Sequence, residues 1–124
     1  MEEQKVKEKI IALYKELEQE KEGSYLPGTG FRYKEPPSGS RYAEKAKELW
    51  DYAKELAKIN SNYSNNIYEL FSTLNKEVEL VRNYSYKYDK MGNPTQKSIT
   101  KMQQMMADAT DRIYRDFVCK VYKR

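Results

Sequence analysis

Residues 23–40, GSYLPGTGFRYKEPPSGS, hold four of the chain's five glycines and three of its four prolines. They interrupt two long helical patterns, because neither residue type sustains a helix interior. A compact domain keeps an irregular loop of this length when the loop has a function or is disordered. In this one Tyr25, Phe31 and Tyr33 are interleaved with Arg32 and Lys34. Flat rings beside fixed positive charge suit a ligand that carries a base and a phosphate. The expectation is a helical frame that presents this loop.

The frame is read from periodicity. Val6, Ile10, Leu13, Tyr14 and Leu17 recur at three- and four-residue steps, which predicts a helix over 1–22 stopped by Gly23. Its narrow stripe serves a packing helix of the same domain or, alternatively, a partner-binding one. Within the loop, Gly28–Gly30 suit a short hairpin, Pro36-Pro37 an extended segment, and Ser38 or Ser40 a helix cap. A second helix over 41–60 buries Tyr42, Ala46, Leu49, Ala53, Leu56 and Ala57, with Trp50 at the edge of the stripe. The polar run 60–66 connects it to a third helix over 65–88 carrying Ile67, Leu70, Phe71, Leu74, Val78 and Val81. Tyr84, Tyr86 and Tyr88 alternate as in a strand, although a continued helix is preferred there, and KMGNP at 90–94 is a turn. Pro94 and Thr95 open a fourth helix over 95–122, with Ile99, Met102, Met106, Ala109, Ile113, Phe117 and Val121 on one face. The fold class is all-α: one domain, a small antiparallel bundle of three to four helices with a long Gly/Pro/aromatic loop.

Ile, Leu, Val and Phe number only 22 of 124 residues, a thin supply for a core. Twelve tyrosines supplement them, and the balance is expected from a second copy of the chain, so the bundle should assemble as an oligomer. The net charge of +4 is uneven: −2 over 1–22, +2 over 23–42 and +4 over 95–124. This favours anionic partners but falls short of a nucleic-acid stripe, so nucleic-acid binding ranks last. Cys119 is alone, which excludes an internal disulfide and fits a reducing cytosol. No apolar run reaches membrane-spanning length and no signal peptide opens the chain, so a cytoplasmic protein is expected.

With no histidine and one cysteine, the usual zinc and di-iron sites and the Ser-His and Cys-His nucleophile pairs are unavailable. Asp108, Asp111 and Asp116 could hold magnesium, but Arg112 and Arg115 beside them more simply neutralise them. GSYLPG has P-loop glycine spacing, yet Thr29 stands where the phosphate-binding lysine must be. Neither catalysis nor a cofactor is expected. Binding remains. A base–aromatic stack contributes about 1–3 kcal/mol and a charge-assisted hydrogen bond about 1.5–3 kcal/mol, whereas nanomolar affinity needs about 12 kcal/mol net. One loop of one subunit falls short, so a pocket shared between copies is expected.

From Phe31 to Lys87 the residues Phe31 and Tyr33, then Pro36-Pro37, then Arg41-Tyr42 opening a helix that runs into AKELAKI at 53–59, resemble the phage sponge family that includes the Thoeris anti-defence and anti-CBASS proteins. Leu80 and Arg82 stand where that family has Trp and Asn, and the first and last helices lie outside the likeness. The resemblance implies a phage protein that binds a cyclic ADP-ribose isomer or a cyclic di- or trinucleotide without cleaving it, in pockets between subunits. By the same resemblance Tyr33 or Phe31 would stack on a base and Lys47 would contact phosphate. Charge alone adds Arg41, Arg82, Arg112 and Arg115 as further ligand-binding candidates. The alternative from another class is a small helical inhibitor or adaptor that uses the Tyr/Arg loop as a protein interface.

Overall fold

The computed structural model describes residues 2–25 and 34–122, and these form an all-helical domain of four rods. Helix α1 (Glu3–Glu20) buries Val6, Ile10, Leu13 and Leu17 against α2 (Gly39–Ile59), which buries Tyr42, Ala46, Leu49, Ala53 and Leu56 in return. A turn of 3₁₀ helix at Ser61–Tyr63, capped by the Asn60 side chain, leads into the third rod. This rod comprises α3 (Ser64–Thr73), a π turn (Leu74–Val78) and α4 (Glu79–Asn83). The fourth rod repeats the plan with α5 (Gln96–Ile113), a π turn (Tyr114–Val118) and α6 (Cys119–Val121).

The core lies where the four rods meet and includes Leu70, Val81, Met102, Met106, Ile113 and Phe117, all essentially inaccessible to solvent. Tyr42 is the one buried tyrosine among the described residues, and burial raises its pKa well above that of a free phenol. Its hydroxyl lies 2.6 Å from Thr110 Oγ1, which in turn donates to the Met106 carbonyl at 2.8 Å. Tyr14, Tyr114 and Tyr122 cluster at the rim, with ring centroids 5.3–6.3 Å apart.

Two strand residues on each side pin the base of the Gly/Pro-rich excursion: β1 (Ser24–Tyr25) pairs antiparallel with β2 (Lys34–Glu35). Gly28 and Gly30, where a hairpin turn is expected, lie outside the described residues. Gly23 has φ +74°, and a Cβ there would stand 2.1 Å from the Glu35 carbonyl oxygen, so the crossing requires glycine. Ser38 caps α2 by accepting from Arg41 N at 3.2 Å, and the helix opens at Gly39, two residues before the sequence pattern begins.

The third helix does not continue to Tyr88. It ends at Asn83, and Tyr84 is already extended at φ −70°, ψ 131°. The strand-like alternation prevails because it gives two phenols partners: Tyr84 donates to the Ser98 carbonyl at 3.1 Å and Tyr86 to the Pro37 carbonyl at 2.5 Å. A hairpin-like turn follows, with Thr95 N bonded to the Lys87 carbonyl at 2.8 Å. Asp89 Oδ1 accepts from Met91 N and Asn93 N, and Gly92 has φ +82°. Thr95 then caps α5 through Ser98 N at 3.2 Å. No helix among the described residues is long and apolar enough to cross a membrane.

Candidate functional site

A groove of about 620 Å³ lies between α2 and the third rod. Its size falls in the range of small-molecule sites. The floor follows from two offset helical stripes. On α2, Ala43 and Trp50 flank the buried face that includes Tyr42, Ala46 and Leu49, and on the third rod Phe71 and Leu74 flank the buried face that includes Leu70, Val78 and Val81. Ala46 and Val78 also line the groove. Trp50 and Phe71 meet across the groove with ring centroids 5.4 Å apart and planes inclined at 40°. Phe71 remains 49% exposed, unusual for a phenylalanine at a stripe position. The Lys54 ammonium sits over the Trp50 ring at 5.5 Å.

Four charged side chains stand on the groove walls: Glu44 and Lys47 from α2, Glu79 and Arg82 from the third rod. Lys47 reaches Asp51 only at 3.4 Å and is largely solvated. Arg82 is held by Glu79 through Nε at 3.2 and 3.3 Å and Nη2 at 2.7 Å. The hydrogen bonds from Arg82 lower the Glu79 pKa, and those to Glu79 raise that of Arg82. The end of the groove at Arg82 adjoins the start of α2, because Gly39 abuts the Val81 carbonyl and Ser40 lines the wall.

The structure therefore brings Lys47 and Arg82, two of the residues expected from sequence, into one concavity. Phe31 and Tyr33 lie outside the described residues. Arg41 stands apart from the groove as a clamp at the loop base, donating from Nη1 to Ser24 Oγ at 3.0 Å and lying 3.6 Å from the buried Glu20 carboxylate. Lys45 reaches the same carboxylate at 3.4 Å. Arg112 faces Glu77 at 3.9 Å and Arg115 pairs with Asp111 at 2.9 Å, neither of them on the groove. The expected neutralisation of the aspartates holds for Asp111. Asp116 instead accepts from Thr73 Oγ1, and Asp108 accepts from Gln104 at 2.9 Å, because each finds a nearer neutral donor. Among the described residues no three acidic or cysteine side chains lie close enough to hold a metal ion.

Sequence reasoning did not single out Trp50 and Phe71 as a ring pair. The signal was present in Trp50 at the edge of its stripe, but the partner across the groove becomes visible only once the two rods are placed side by side. A smaller hollow of about 230 Å³ lies between α1 and α5, lined in part by Tyr14, Glu18, Lys21 and Asp111. No known protein family, curated protein or solved structure matches the chain.

Proposed function

We propose that this chain is a binding protein that sequesters a small cyclic nucleotide signal, a cyclic ADP-ribose isomer or a cyclic di- or trinucleotide, and releases it chemically intact. In this reading it acts in the cytoplasm of an infected bacterium and blocks anti-phage immune signalling. The observation that carries the binding part is the convergence of Lys47 and Arg82 with Trp50 and Phe71 on one open groove. The rings offer faces to a base and the cations offer donors to phosphate. The rods form an antiparallel bundle, and a second copy covers the open side of the groove and its half-exposed phenylalanine. Phe31 and Tyr33 are proposed to add stacking from the loop.

Native mass spectrometry with and without cyclic ADP-ribose and cyclic di-adenylate tests this reading. The expected result is an oligomer that gains whole ligand masses, and intact ligand in the supernatant after heat denaturation. Recovery of a cleaved product, or no uptake of any cyclic nucleotide, overturns it.

A second reading has its own support. Tyr68, Phe71 and Leu80 are exposed on the third rod, at 79, 49 and 60%, which suits a protein-binding inhibitor or adaptor with aromatic anchors. Capture of a bacterial effector protein, with no thermal shift from any nucleotide, would favour it.

A further inference from the structure

The groove holds two bases and two acids, so its walls carry no net charge, and its arginine is already engaged. Glu79 spans Nε and Nη2 of Arg82, the same fork that would take two oxygens of a phosphate. The two residues lie one turn apart on α4, with side chains 42 and 53% exposed. Their pairing can therefore open by side-chain rotation without unfolding the rod.

We infer that Glu79 is an internal competitor for the anion site at Arg82, so that ligand enters by exchanging one carboxylate for a phosphate group. This rests on the binding reading above and deepens it. A simple monocarboxylate gains nothing over Glu79, which is already tethered at the site. A pyrophosphate or phosphodiester can repay the exchange, since its remaining oxygens reach Lys47 or a second copy while its base meets the rings. Glu79 is thus a specificity-determining residue that screens out weak anions. Glu44, in the same groove with no ion pair to Arg82, supplies the control for charge alone.

The test is isothermal titration of wild type, Glu79→Gln, Glu44→Gln, Arg82→Ala and the Glu79→Gln/Arg82→Ala double variant. The probes are cyclic ADP-ribose, cyclic di-adenylate and adenosine, the last lacking phosphate, and circular dichroism melts verify that each variant folds. Glu79→Gln should tighten at least one phosphorylated probe by roughly three- to tenfold, leave adenosine unchanged, and lose its gain when Arg82 is absent. Glu44→Gln should change affinity by less than about twofold. Unchanged affinity in Glu79→Gln, or an equal gain in Glu44→Gln, overturns the competitor role while leaving the binding reading intact. No binding of either phosphorylated probe by wild type and Glu79→Gln alike overturns the binding reading itself.

Discussion

Replacing Gly39 by alanine separates two opposing effects at the join between α2 and α4. Alanine is the better helix former, by about 0.5–1 kcal/mol in a helix interior and by less at the first position of α2, so propensity alone favours alanine here. The added Cβ, however, would lie 2.4 Å from the Val81 carbonyl oxygen and 3.3 Å from Met102 Cε. The methionine end can move, but the carbonyl is backbone in the last turn of α4 and must retreat by about half an ångström or more. Overpacking of this kind costs about 1–3 kcal/mol. The net expectation is a loss of about 1 kcal/mol, which in a domain of this size lowers Tm by roughly 3–5 °C. Urea titration followed by far-ultraviolet circular dichroism reads the change as a lower midpoint at constant slope. Ser40→Ala, one residue on and exposed, should stay within about 0.5 kcal/mol of wild type. A Gly39→Ala protein as stable as wild type, or more so, would refute the close approach of the two helices.

Other outcomes are expected. Tyr42→Phe should cost about 0.5–1.5 kcal/mol in the same titration, since it removes one buried hydrogen bond while Thr110 keeps its bond to the Met106 carbonyl. Burial pushes the phenols of Tyr14 and Tyr86 up to about 12, with a contribution from Glu18 at Tyr14. A raised tyrosine pKa favours the neutral folded form, so this stability is fully present below about pH 10 and lost as pH rises from about 10 to 12. Ultraviolet titration of the phenolates should show a matching late component. Phe71→Ala should change stability by less than about 1 kcal/mol, because half the ring is already in water, yet reduce uptake of a phosphorylated cyclic nucleotide by about tenfold in titration calorimetry. Lys47→Ala/Arg82→Ala should weaken the same ligand by at least about tenfold and flatten its salt dependence, with an unchanged melt.

The apolar periodicity that predicts helices survives in the structure because burial of those stripes is what holds each rod. Val6, Ile10, Leu13 and Leu17 on α1, and Tyr42 through Leu56 on α2, lie in the core where the three- and four-residue steps place them. The end of the third helix was not legible. The choice between helix and extended chain at 84–88 is made by the Ser98 and Pro37 carbonyls, remote in sequence, which accept the Tyr84 and Tyr86 hydroxyls. The π turns were hidden for a different reason. Leu70, Leu74, Val78 and Val81 satisfy plain helical spacing, yet Thr73 takes the buried position and Leu74 turns toward the groove. The resemblance marked Lys47 and charge marked Arg82, but charge marked Arg41, Arg112 and Arg115 equally. Only packing distinguishes a cation on a groove from one clamping Ser24 and Glu20 or paired along its own helix.

The wide turn at Leu74–Val78 lies between Phe71 and Arg82, so it fixes the angle at which ring and guanidinium project around a single rod. Each residue of an α-helix advances about 100°. A π turn, bonded i to i+5, already takes up one residue more than an α turn. It is therefore loss of a residue from the α-helical stretch between that turn and Arg82 that would swing the arginine about that far from the tryptophan–phenylalanine pair. Chain length between 71 and 82, more than the identity of any intervening side chain, would then decide whether cation and ring address the same molecule.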